Sequence, residues 1–204
     1  MALLESSVMS LPFSRSSLYY GNRLSSYIRK MQTSSVRTFS SSTIKSILFV
    51  SLLFISIYLP SLIHQQAITG SLINASLLLA TAFLGSSSAI AIGLIPSVVA
   101  LSRGLLPLVL APMVPFIMLS NTIYVLVYDR MSTKGHWLAS LLAAFSKFGW
   151  LQSSSCFVLS LLLPNPVWAS AKIMMSWPQL LTALAGSVIA GIILNKNLQQ
   201  KSEQ

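Results

Sequence analysis

Polar residues in this chain come in clusters, and the stretches between the clusters are almost wholly apolar. A helix that crosses a bilayer needs about 20 mostly apolar residues, fewer where it is irregular. Six runs meet or approach that length: 44–63, 67–84, 89–101, 105–128, 137–163 and 171–194. Pro60 lies near the end of the first, the turn Gly85-Ser86-Ser87-Ser88 follows the second, and Pro164-Asn165-Pro166 breaks the chain after the fifth. The third run is short and carries Pro96 at its middle, so it predicts an irregular or tilted span. The expected fold is all-α and integral to the membrane, a six-transmembrane-helix bundle with proline-broken helices.

Residues 93–130 organise the rest. They hold Pro96, Pro107, Pro112 and Pro115, with Arg103 and Asn121, and are otherwise nearly all apolar until Asp129. A soluble core helix would not tolerate those prolines, whereas in a membrane neighbouring helices or ordered water can take up the freed carbonyls. A broken apolar segment with a polar side chain inside it is the usual material of a membrane binding pocket.

Composition agrees with a membrane chain: 8% of residues are charged, against about a quarter in soluble domains. Thirteen Lys and Arg stand against three Asp and Glu. Such an excess can serve nucleic acid, but here the basic residues lie mainly in the N-terminal tail and between the apolar runs, so no nucleic-acid partner is expected. With the N-terminus inside, the inner segments hold the basic tail, Arg130, Lys134, Lys196 and Lys201, and the outer loops hold Arg103 and Lys172. Lysine and arginine concentrate on the inner side of membrane proteins. That asymmetry predicts N- and C-termini both on the inner side.

Three regions follow: a basic Ser/Arg-rich tail over 1–43, a six-helix domain over 44–195 and a polar tail over 196–204. The first is expected to be disordered. It carries Arg15, Arg23, Arg29, Lys30 and Arg37, and no acid after Glu5. That is the composition of an organelle transit peptide, and Arg37-Thr38-Phe39-Ser40 resembles a mitochondrial processing site. The predicted location is an organelle inner membrane of the mitochondrial kind. The alternative is a bacterial inner membrane with the tail held at its surface by charge.

Lys147 is the most informative single residue, near the middle of the fifth run. A lysine at that depth costs about 3 kcal/mol even on a mild insertion scale, and it usually faces the bundle or a watery cavity and has a partner. No acid lies within the apolar runs to pair with it. Carbonyls freed by prolines, Asn121 or an anionic ligand are the expected partners; the alternative is that Lys147 snorkels to the inner interface. The expected solute contacts are Asn121, Lys147 and Gln179, with Arg103 and Lys172 attracting the solute from outside. Asn74, near the middle of the second run, could line a pocket too, but more simply reads as an interhelical hydrogen bond. Trp150, Ser153, Ser154 and Ser155 are further candidates for the cavity wall, and Trp177 reads as an interfacial anchor. Small residues four apart, at Ala139/Ala143, Ser140/Ala144, Gly186/Ala190 and Ser187/Gly191, predict close helix contacts.

Nothing in the pattern resembles an enzyme. His64 and His136 fall in opposite loops, the three acids are scattered, and no phosphate-cradling glycine motif occurs. No catalytic residues, metal site or cofactor are expected. Lone Cys156 excludes a disulfide framework and a thiolate-held cluster.

The segments Thr69-Gly70-Ser71-Leu72-Ile73-Asn74-Ala75, Pro115-Phe116-Ile117-Met118-Leu119-Ser120-Asn121 and Met174-Met175-Ser176-Trp177-Pro178-Gln179-Leu180, with residues 91–96, carry a resemblance. Over about residues 67 to 194 the chain resembles a family of small bacterial membrane proteins similar to the substrate-binding components of energy-coupling-factor transporters. Members often carry the label "iron hydrogenase", which a chain with one cysteine cannot justify. The resemblance implies a six-helix subunit that binds a vitamin-like molecule near the outer face, paired with a transmembrane coupling subunit and ATPases. Such components carry an Ala-x-x-x-Ala pair on the first helix; here only Ser51 and Ser56 stand there, at another spacing. The expected function is therefore a substrate-binding or transport component for a small, vitamin-like or anionic solute. The alternative is a membrane scaffold or assembly factor of a larger complex.

Overall fold

The computed structural model describes residues 42–63, 65–104, 106–162, 169 and 172–200. Nearly all of the basic tail, His64, the Pro164-Asn165-Pro166 break and residues 201–204 lie outside the described residues. The described part is helical: α1 (Ser42–Leu62), α2 (Gln66–Leu84), α3 (Ser86–Ser102), α4 (Val114–Met131), α5 (His136–Leu162) and α6 (Trp177–Gln200). Each of them overlaps one apolar run of the sequence. Three segments are long and apolar enough to cross a membrane: Gln66–Leu84, Leu110–Lys134 and Lys172–Lys196. Ser42–Tyr58 and Ser86–Ser102 are shorter apolar helices.

Several boundaries differ from expectation for local reasons. The turn expected over 85–88 shrinks to Gly85 alone, whose φ of 93° reverses the chain without strain, and Ser86 already opens α3. Gly135, at φ 111°, does the same between α4 and α5. The fourth helix starts late. Pro107, Pro112 and Pro115 each lack an N–H, so the chain enters as a 3-10 segment over Leu108–Met113, and the α-helix proper begins at Val114 with Pro115 in its first turn. The last helix starts at Trp177 rather than near 171, again with proline in its first turn, and runs on to Gln200.

The bundle is built around α2, which packs against α1, α3, α4 and α6. From Asn74 to Thr81 every residue of α2 is buried. Small residues set how closely the helices approach. A Cβ on Gly186 would stand 2.7 Å from the Ser71 carbonyl oxygen and 2.8 Å from the Ala75 nitrogen, so α6 and α2 meet backbone to backbone. On α5, Ala139, Ser140, Ala143 and Ala144 face inward, while Trp137, Leu141, Leu142, Phe145 and Phe157 lie exposed. Small residues inside and large apolar ones outside is the arrangement expected where lipid removes the hydrophobic drive between helices.

Chain direction gives the bundle two ends. At one, α1 begins, α2 gives way to α3, and α4 to α5; Lys45, Arg130, Lys134 and Lys196 lie there. At the other, α1 gives way to α2, α3 to α4, and α6 begins; Arg103 and Lys172 lie there. A second apolar cluster of Leu106, Leu110, Met113, Val114 and Met175 closes this second end.

Candidate functional site

A cavity of about 150 Å³ opens inside the second end of the bundle. Its lining on α2 runs from Gln66 to Asn74, on α3 from Pro96 to Ala100, and on α4 from Ile117 to Asn121. Met174 and Met175 line it from just before α6, Gln179 from its first turn, and Lys147 is its one lining residue from α5. Asn74, Asn121 and Lys147 are the deepest of these along their helices and make the floor. The walls above them are largely apolar: Ile73, Pro96, Ala100, Leu106 and Ile117.

The floor is a hydrogen-bonded cluster centred on Lys147, which is 4% exposed. Its Nζ donates to Asn74 Oδ1 at 2.6 Å and to Asn121 Oδ1 at 2.8 Å. It also stands 5.3 Å from the centre of the Tyr124 ring, in reach of a cation–π attraction. The asparagines are fixed in turn. Asn121 Nδ2 donates to the Gly93 carbonyl at 2.8 Å, and Asn74 Nδ2 makes a longer 3.4 Å bond to Thr182 Oγ1. Pro96 lacks the N–H that would serve the Ile92 carbonyl, and Gly93 is the next residue along α3. Asn121 thus bonds the backbone of α3, which runs unbroken through Pro96, as well as Lys147. Below the floor, the Tyr124 hydroxyl bonds the Ala183 carbonyl and Ser187 Oγ, both at 3.1 Å.

Electrostatically the floor is one-sided. An ammonium has three N–H donors and no acceptor, and Lys147 has two amide oxygens but no carboxylate partner among the described residues. Asp129, the one acid among them, lies two helical turns beyond Asn121 toward the opposite end. Burying a charge with neutral partners alone leaves much of its desolvation cost standing, so an incoming anion would be favoured here.

Of the expected site residues, the structure brings together Asn121, Lys147 and Gln179 in the cavity lining. Arg103 and Lys172 do not line it. Arg103 caps the C-terminus of α3, exposed, and Lys172 lies half-buried just before α6. The snorkelling alternative for Lys147 is incompatible with its burial and its partners on α2 and α4. Asn74 does make the expected interhelical bond, and it is also the shorter of the two Lys147 contacts, a role the sequence reading did not give it. Thr69, Ser97 and Gln66 are polar lining residues that the reading missed; the three-residue spacing of Gln66 and Thr69 on one helix was the signal available.

Trp150 and the serines of α5 are corrected. Trp150 Nε1 donates to the Phe116 carbonyl at 3.1 Å, and Ser154 and Ser155 return their hydroxyls to carbonyls of their own helix. None of them, nor exposed Ser153, lines the cavity. Hydroxyls on a helix find an acceptor one turn back at little cost, so a serine run need not face a cavity. His136 bonds Tyr128 Oη at 2.9 Å and the Ser187 carbonyl at 3.0 Å, at the far end of the bundle. Trp177 is exposed.

No protein-family model matches the chain, nor does any curated protein or any solved structure.

Proposed function

We propose that the protein is a six-span membrane component that binds a small anionic solute in the cavity above Lys147, with both termini on the inner side. The observation that carries this reading is the Lys147 amine itself: buried, held by two amide oxygens, and lining a cavity with no carboxylate among the described residues to neutralise it. The distribution of basic residues supports the orientation, since four of them lie at the end of the bundle where α1 begins and two at the cavity end. On this reading the cavity opens toward the outer face, and Arg103 and Lys172 lend a positive field near its mouth. The role would be that of a substrate-binding component in transport, non-enzymatic, working with a separate coupling subunit and ATPases, as the likeness to energy-coupling-factor components implies. The acid-poor tail supports placement in an organelle inner membrane of the mitochondrial kind, with a bacterial inner membrane as the alternative.

One observation favours a second reading. The two bonds from Lys147 tie α5 to α2 and α4, so the same cluster would serve a scaffold that only pins helices together. Replacing Lys147 with Met separates the two. Wild type and variant are purified in mild detergent at matched yield and examined by native mass spectrometry. A small-molecule mass carried by the wild type and lost from the variant supports binding. The same mass on both, or a variant that is more stable while neither carries a ligand, supports the scaffold.

A further inference from the structure

The floor and walls of the cavity narrow the class of solute, on the premise that the proposed binding reading holds. Lys147 can only donate, so both asparagines must turn their oxygens toward it, which fixes the amide orientations without appeal to anything else. Each amide nitrogen has two N–H groups, and the bonds to Gly93 and Thr182 use one apiece. One N–H on Lys147, one on Asn74 and one on Asn121 remain beyond the hydrogen bonds described. The floor therefore offers spare donors, while its amide oxygens are already committed to the ammonium. It suits an acceptor, and a charged acceptor best.

Charge sets a second limit. Among the described residues Lys147 is the only basic one in the lining; above the floor Gln66, Thr69, Ser97 and Gln179 are neutral polar groups set among Ile73, Pro96, Ala100, Leu106 and Ile117, so a second negative charge would find no cation to pair with. The cost of burying an unpaired charge there opposes a dianion. The same walls reward a solute with an apolar body, which a bare inorganic anion lacks. Volume sets the third limit. About 150 Å³ is the size of an apolar cavity that holds one benzene molecule, roughly six non-hydrogen atoms. Sites for drug-sized ligands start at about 300 Å³.

We infer that the cavity takes a short-chain aliphatic monocarboxylate, its carboxylate on Lys147, Asn74 and Asn121 and its tail toward Met174 and Met175. That is a smaller molecule than the vitamin-like solute the family resemblance implies. Each methylene buried against the walls should tighten binding about fourfold until the cavity is full.

The test is equilibrium binding of acetate, butyrate, hexanoate and decanoate to the full chain in nanodiscs, with empty nanodiscs subtracted. Succinate and butyramide serve as the dianionic and neutral comparisons. Affinity should climb from acetate, peak at butyrate or hexanoate and fall at decanoate. Succinate and butyramide should bind at least about tenfold more weakly than butyrate, and Lys147→Met should abolish the series. Ala100→Leu keeps the floor and fills part of the wall, so it should move the peak to a shorter acid. A Lys147-dependent preference for decanoate, succinate or butyramide would overturn the inferred class and leave solute binding standing. No binding of any acid, or equal binding by Lys147→Met, would overturn the binding reading as well. Should Lys147→Met fail to fold, an unchanged chain-length profile in Ala100→Leu would be enough to reject the inference.

Discussion

Gly186→Ala tests how packing supports the site. The added methyl would meet Asn74 Cβ and the Ser71 carbonyl oxygen at 2.7 Å and the Ala75 nitrogen at 2.8 Å. Non-bonded carbon atoms ordinarily sit no closer than about 3.5 Å, so the overlap is large, and two of the three neighbours are backbone atoms that no rotamer change can move. The α2 and α6 axes must separate by something approaching 1 Å, on the scale of that overlap. Overpacking of this kind costs about 1–3 kcal/mol, or roughly 3–10 °C of melting temperature for a chain of this length. The displacement also reaches the floor, because Asn74 is the neighbour struck. Its 2.6 Å bond to Lys147 would be pushed past the roughly 3.2 Å limit of a good hydrogen bond. Gly149→Ala is the control: no atom lies within 4 Å of its Cβ position, so it should be neutral or gain up to about 1 kcal/mol of helix propensity. Thermal unfolding in detergent, followed by tryptophan fluorescence, reads both variants. A Gly186→Ala protein that melts at or above the wild type, and no lower than Gly149→Ala, would refute the close α2–α6 contact and the positioning of Asn74 that depends on it.

Further outcomes follow from the same contacts. Tyr124→Phe loses the bonds to Ala183 and Ser187 but keeps the ring beside Lys147, so it should cost about 1 kcal/mol of stability in an unfolding titration and leave ligand affinity within about twofold. Asn121→Leu strips a partner from Lys147 and removes the bond to the Gly93 carbonyl; ligand affinity should fall at least about tenfold and stability by about 1–3 kcal/mol, measured on the same samples. N-terminal sequencing of the mature protein should find an end near Ser40, as import into an organelle requires; an intact Met1 or Ala2 would contradict that placement.

The positions of the helices were legible because apolar runs and their proline and glycine punctuation are local properties. Gly85 and Gly135 fall where the chain turns, and among the described residues each apolar run overlaps a helix, while three segments are long and apolar enough to cross a membrane. Where several prolines crowd together the reading blurred: from Pro107 to Pro115 the choice between an α-helical and a 3-10 path depends on which carbonyls find donors, and that is settled by packing. The site was partly legible for the same reason. The depth of Lys147 follows from counting residues, and its want of an acid partner from composition. Asn121 was foreseeable as a partner because it sits alone in apolar sequence. Asn74 was read mainly as helix pairing and not as a partner of Lys147, since the rotation of α2 that turns it toward both Thr182 and Lys147 depends on Gly70 and Gly186, whose missing side chains let α2 and α6 approach. Arg103 and Lys172 were placed by their charge and topology, which give the correct end of the bundle but not a position in the cavity wall.

The measurement that bears most directly on the central claim is anomalous diffraction from crystals of the wild-type protein soaked in 3-bromoacrylate, whose vinylic bromine is not lost by direct displacement. The account predicts a bromine peak inside the cavity between Met175 and Ile117, with the carboxylate within about 3 Å of Lys147 Nζ. A cavity without bromine, or bromine found only against exposed Arg103 or the lipid-facing surface, would contradict it.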